Sequence, residues 1–140
     1  MTPIDRYWLA MPAAGSGRRF GGELPKQYCE IAGKALIEHA LRPFQQDPRC
    51  AGLAIAVVAD DPWWQQVKQR WPVHGPRPIE ASGGAERCDS VANALAALAA
   101  AGCADDDWVL VHDAARPCVT VAEIERLLAA RGTAADGALL

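Results

Sequence analysis

Residues 53–59 read Leu-Ala-Ile-Ala-Val-Val-Ala, an apolar run with no polar interruption. A strand with one face in water alternates polar and apolar side chains, whereas a continuous short run suits a strand covered on both faces. Tyr7 to Met11 and Trp108-Val109-Leu110-Val111 repeat the pattern, and a weaker strand is expected near Pro78–Ala81. Helical spacing lies between these runs. From Lys34 to about Gln46, Ile37, Ala40, Leu41 and Phe44 share one face, with Pro43 expected to kink or shorten the helix. Asp61 before Pro62 is a helix cap with proline at the first helical position, where no N–H is lost. Glu86 to Ala101 reads as a helix with Val91, Leu95 and Leu98 inward and Gly102 as its stop. Thr120 and Glu123 form a capping box ahead of inward-facing Ile124, Leu127 and Leu128. Strand alternating with helix predicts one α/β domain over residues 1–140, with a mostly parallel sheet and helices on both faces.

Composition removes several classes. The chain is 51% hydrophobic with a net charge of −3, too apolar and too weakly charged for disorder. No apolar run approaches the ~20 residues of a membrane span, and the start, Met1-Thr2-Pro3-Ile4-Asp5, lacks the apolar core of a signal peptide. With 17 acidic and 14 basic residues, no global field favours nucleic acid. A cytoplasmic protein without nucleic-acid or membrane partners is the expectation. Five cysteines without CxxC spacing point to reduced, mostly buried thiols. The ending, Gly137-Ala138-Leu139-Leu140, is expected to be a strand cut short.

Parallel sheets bind ligands beyond the carboxyl ends of their strands. Attention therefore falls on Asp113–Pro117 and on the long loop after the first strand. That loop reads Pro12-Ala13-Ala14-Gly15-Ser16-Gly17-Arg18-Arg19-Phe20-Gly21-Gly22-Glu23-Leu24-Pro25-Lys26-Gln27-Tyr28. Small residues at 13 to 17 leave backbone N–H groups accessible to a phosphate chain, and Arg18, Arg19 and Lys26 add cationic donors. Phe20 stands where a dinucleotide fingerprint needs glycine, and the Gly-Lys-Ser/Thr of a Walker A loop does not occur.

Three segments together resemble the 2-C-methyl-D-erythritol 4-phosphate cytidylyltransferases. They are Pro12-Ala13-Ala14-Gly15-x-Gly17-Arg18-Arg19 with Leu24-Pro25-Lys26-Gln27-Tyr28, then Gly83-Gly84-x-Glu86-Arg87-x-Asp89-Ser90-Val91, then Val111-His112-Asp113-Ala114-Ala115-Arg116-Pro117. Pentitol (ribitol) phosphate cytidylyltransferases share these motifs comparably, and a non-catalytic nucleotide-binding module is a third reading. The resemblance implies a three-layer α/β/α Rossmann-like nucleotidyltransferase fold, with the C-terminal part missing. It implies transfer of a cytidylyl group from CTP to methylerythritol phosphate in non-mevalonate isoprenoid precursor biosynthesis. The products would be 4-diphosphocytidyl-methylerythritol and pyrophosphate.

By the same resemblance, Arg19 and Lys26 stabilise the transition state, as fixed cations suit charge on a pentacoordinate phosphorus. Pro12, Ala13, Ala14, Gly15, Ser16, Gly17 and Arg18 would wrap the nucleotide, together with Gly83, Gly84, Arg87, Ser90, Asp113 and Ala114. Backbone amides and carbonyls would read the base where small side chains permit close approach. Asp113 is the expected ligand of Mg²⁺ or another divalent cation. Arg87 is left between phosphate contact and bracing, His112 is expected to be structural, and Arg116 is expected to hold its own loop. Residues positioning the second substrate, and an arm forming a homodimer, would lie beyond Leu140, so this chain alone is expected to be inactive.

Overall fold

The computed structural model describes residues 6–15 and 23–132, with Gly137 and Leu139. In chain order the elements are β1 (Tyr7–Pro12), a 3-10 turn (Lys26–Tyr28), β2 (Glu30–Ile31), β3 (Lys34–Ala35) and α1 (Leu36–Gln46). They continue with β4 (Cys50–Val57), α2 (Pro62–Gln69), β5 (Pro78–Ser82), α3 (Arg87–Ala100), β6 (Trp108–Val111) and α4 (Val121–Ala130). Four strands form one sheet in the order β5-β4-β1-β6, and every pairing in it is parallel. Leu9 at the centre of β1 faces Leu53 on one side and Leu110 on the other.

Alternation along the strands builds two cores. Tyr7, Leu9 and Met11 of β1, with Leu53, Ile55 and Val57 of β4, meet Ile37, Leu41, Phe44, Trp64, Val67, Ile124 and Leu128 from α1, α2 and α4. The opposite face carries Trp8, Ala10, Ala54 and Ala56 against Ala94 and Leu98 of α3. Alanines on both sides let α3 lie close to the sheet, so one helix covers what three helices cover opposite. The result is a three-layer α/β/α arrangement, as the alternating pattern implied.

Local departures have identifiable causes. Lys34 and Ala35 do not begin α1; they pair antiparallel with Ile31 and Glu30 around a tight turn at Ala32 (φ 53°) and Gly33 (φ 79°). The helix runs through Pro43 to Gln46 and is not shortened by it. An internal proline costs about 3 kcal/mol, which burial of Ile37, Leu41 and Phe44, at about 1.5–3 kcal/mol each, exceeds. β4 starts at Cys50 and ends at Val57 rather than spanning Leu53 to Ala59, because the chain turns at Asp60 (φ 55°) to let Asp61 cap α2. The buried face of α3 is Ser90, Ala94 and Leu98, whereas Leu95, expected inward, is exposed. Of the five free thiols only Cys50 is buried, against the expectation for the group, and burial pushes its thiol up to about 11. In the strand expected at Ala138–Leu140, Ala138 and Leu140 lie outside the described residues, and Leu139 is exposed.

Candidate nucleotide site

From β1 the chain moves outward through β4 to β5, then α3 carries it back to β6 on the other side of β1. Strand order reverses between β1 and β6, and that reversal opens a crevice at their carboxyl ends. A cleft of about 630 Å³ sits there. Pro12–Gly15 enter it from β1, Gly84–Arg87 and Ser90 from the start of α3, and Asp113–Ala115 from β6. Residues about a hundred positions apart, from all three sequence motifs, thus share one wall-to-wall site. A smaller hollow of about 260 Å³ between α1 and α2 and an apolar groove along β6 contain none of the glycine motifs.

Hydrogen bonds hold the walls in place. The Ala13 N–H donates to the Ala56 carbonyl and the Gly83 N–H to the Val57 carbonyl, both at 2.8 Å. These bonds extend the β1–β4 and β4–β5 ladders past the strand ends. Their consequence is close contact: a Cβ on Gly83 would strike Ala14 Cβ and come within 3.3 Å of the Val57 carbonyl oxygen. A Cβ on Gly84 would strike Asp89. The Gly84 N–H donates to Ser90 Oγ at 3.0 Å, with Ser90 buried in the first turns of α3. The N–H groups of Ala13, Gly83 and Gly84 are therefore committed internally. Base reading by the backbone N–H groups, expected from the resemblance, is thus not open to these three amides.

Asp113 follows β6 and carries an arginine on each carboxylate oxygen. Arg87 Nε donates to Oδ1 at 2.9 Å and its terminal nitrogen lies 2.8 Å from the same atom, while Arg116 Nε donates to Oδ2 at 3.1 Å. His112 Nε2 lies 2.8 Å from the Arg116 carbonyl oxygen, which folds the loop back on itself. His112 and Arg116 thus brace the Asp113 segment. Both Asp113 oxygens already accept from guanidinium groups, so this donor set suits a metal that arrives with phosphate oxygens rather than one caged by protein. Glu86, Cys88 and Asp89 bring three donor atoms within 4.8 Å of one another beside the cleft, all on exposed side chains.

Lys26 opens the 3-10 turn and Gln27 lines the cleft. Gln27, which the motif reading quoted without assigning a role, is 6% exposed and donates from one amide nitrogen to two carbonyls. These are Ala13 at 3.0 Å and Gly15 at 2.9 Å. Next to it, the Tyr28 hydroxyl donates to Asp61 Oδ2 at 2.8 Å. Burial, reinforced by that bond, pushes the Tyr28 phenol above its usual range. A polar residue beside the motif lysine was the one available signal for Gln27, and nothing local identified its partners. Ser16, Gly17, Arg18 and Arg19 lie outside the described residues. Of the other expected site residues, Pro12–Gly15, Gly84, Arg87, Ser90, Asp113 and Ala114 line the cleft, whereas Gly83 and Lys26 do not and are only chain neighbours of the lining residues Gly84 and Gln27.

A family model described as 2-C-methyl-D-erythritol 4-phosphate cytidylyltransferase matches residues 8–140. A relative of that name from Pseudomonas putida (strain GB-1) is 44% identical over 140 residues, covering 100% of this chain and 58% of the relative. One from Halorhodospira halophila is 48% identical over 139 residues, covering 98% of this chain and 57% of its own. The chain therefore spans less than two thirds of the length of the curated relatives it matches. A crystal structure of 4-diphosphocytidyl-2C-methyl-D-erythritol synthase superposes with a TM-score of 0.75 at 32% identity, over 93% of this chain and 56% of that one. The Francisella tularensis cytidylyltransferase superposes with a TM-score of 0.70 at 29% identity, over 93% and 54%.

Proposed function

The chain belongs to the 2-C-methyl-D-erythritol 4-phosphate cytidylyltransferase family, and from that premise we propose that it forms the CTP-binding part of such an enzyme. The observation that carries the reading is the convergence of three motif segments on one cleft at the strand-order reversal. The full-length protein transfers the cytidylyl group of CTP to methylerythritol phosphate and releases pyrophosphate. An oxygen of the sugar phosphate forms a bond to the α-phosphorus, and the bond from that phosphorus to the bridging oxygen of pyrophosphate breaks. No protein nucleophile is needed, because the attacking phosphate is already anionic. The chain's task is to hold two anions together and stabilise charge at the reacting phosphorus.

Lys26, a compact point charge, suits the α-phosphate, and Arg19 can fork onto phosphate oxygens. Pro12 to Gly15, with Ala114, line the nucleotide's cleft, and Ser16, Gly17 and Arg18 are assigned to nucleotide binding by the motif alone. Gly83, Gly84 and Ser90 face the base, whose 4-amino group needs carbonyl acceptors while the Ser90 hydroxyl donates to a ring acceptor. Arg87 and Asp113 stand at the ribose and phosphate side. Mg²⁺, when bound with the triphosphate, neutralises phosphate charge; Asp113 is the carboxylate that would reach it. The reading extends to a cytoplasmic homodimer in isoprenoid precursor biosynthesis. No helix among the described residues is long and apolar enough to cross a membrane, and the acidic balance gives no reason to invoke nucleic acid.

Thermal stabilisation tests the assignment. CTP with Mg²⁺ should raise the unfolding midpoint more than UTP, ATP or GTP under the same conditions. Equal shifts for all four would sink the cytidine assignment.

A further inference from the structure

The loop leaving β1 and the turn that carries Lys26 are separate elements of the chain that meet beside the cleft. One side chain joins them. Both hydrogens of the Gln27 amide are spent on carbonyls of Ala13 and Gly15, at 3.0 and 2.9 Å, in a position 6% exposed. Two acceptors on one atom require the nitrogen end of the amide, so the orientation of the side chain is set by chemistry. Tyr28, the next residue, ties the same turn to Asp61 at the start of α2. The turn is thus pinned from both sides, by Gln27 to the loop and by Tyr28 to the scaffold.

We propose that Gln27 is a positioning residue. It makes the Ala13–Gly15 loop and the Lys26 turn one rigid unit, so that a nucleoside triphosphate seated on the loop meets the lysine at a set place. The proposal rests on the reading of this cleft as a nucleotide site. Substitutions at Gln27 sort the chemistry. Met keeps the length and loses both bonds. Glu keeps the shape but turns a carboxylate oxygen onto two carbonyl oxygens, which is repulsive as well as unbonded. The Gln27 amide offers no N–H to a ligand, because both of its donors are already engaged.

The test measures CTP·Mg²⁺ affinity for the wild-type chain, Gln27→Met, Gln27→Glu and Tyr7→Phe. Tyr7 hydrogen-bonds Asp47 in the core and lines no part of the cleft, so its variant controls for general destabilisation. Loss of two hydrogen bonds that preorganise the site should weaken CTP by about tenfold or more in Gln27→Met. Gln27→Glu should be weaker still, and should recover in part on acidification, when its carboxyl regains a donor. Tyr7→Phe should bind as the wild type does. Gln27→Met affinity within about twofold of wild type, or an equal loss in Tyr7→Phe, would overturn the proposal. Should the wild type bind no CTP, the nucleotide reading falls, and amide resonances decide the positioning role separately. Joint displacement of the Ala14, Gly15 and Lys26 signals in Gln27→Met supports it, and unmoved signals overturn it.

Discussion

The Tyr28 hydroxyl donates to Asp61 Oδ2 across 2.8 Å, while Asp61 Oδ1 accepts the N–H groups of Trp63 and Trp64 at 3.0 and 3.3 Å. One carboxylate therefore caps α2 and anchors the turn beside the candidate nucleotide cleft. Tyr28→Phe leaves a buried carboxylate oxygen without its donor, at a cost of about 1–3 kcal/mol. The unfolding midpoint should fall by roughly 3–9 °C. Asp61→Ala should cost more in the same thermal scan, since the helix cap is lost as well.

Gly83 and Gly15 bracket the cleft but differ in surroundings. A Cβ at Gly83 meets Ala14 and the Val57 carbonyl, whereas one at Gly15 meets nothing within 4 Å. Gly83→Ala should destabilise the chain by about 1–3 kcal/mol through overpacking and remove its CTP-dependent stabilisation. Gly15→Ala should change denaturant-derived stability by less than about 0.5 kcal/mol. The contrast is read from unfolding curves with and without CTP.

Asp113 holds two arginines that are 60% and 77% exposed, and its own side chain is 36% exposed. Ion pairs so open to water contribute at most about 1 kcal/mol to stability. Asp113→Asn should therefore leave the unfolding midpoint nearly unchanged. The gain in CTP affinity that Mg²⁺ brings should shrink sharply, because the carboxylate is gone and two cations face the triphosphate directly. Calorimetric titration with and without the metal separates these effects.

The chain's two tyrosines, Tyr7 and Tyr28, are both buried, and burial is the largest cause raising each phenol above its usual value. A folded value above the unfolded one near 10 favours the folded state below that pH. This contribution is lost as pH rises toward the folded value, because the unfolded chain ionises first. Tyrosinate absorbance should therefore stay silent in the alkaline native protein and appear together with loss of the far-ultraviolet helical signal.

Much of the fold was legible because its causes are local. The uninterrupted run from Leu53 to Ala59 marked a doubly covered strand, though not its bounds, and Asp61-Pro62 and Thr120-x-x-Glu123 marked helix starts with the caps observed. The hairpin of β2 and β3 left no trace, since strands of two residues cannot show a period. Leu95 was misplaced because helical spacing alone does not say which arc of α3 meets the sheet; the alanines at 10, 54, 56 and 94 decide that.

The candidate site divides along the same line. Glycine content, the order of the three motifs and the cations of the loop are properties of neighbouring residues, and the sequence by itself determined the family and the α/β class from them. The arrangement of their partners was decided by tertiary structure. Gln27 reaches back to Ala13 and Gly15, Arg87 crosses to Asp113, and Tyr28 finds Asp61 over a separation of 33 residues. Such bonds depend on where parallel strands set their ends, and strand order is a consequence of packing two apolar faces at once. A hydrogen bond has a fixed length and direction, so its partner is known only when the chain has brought both groups within about 3 Å.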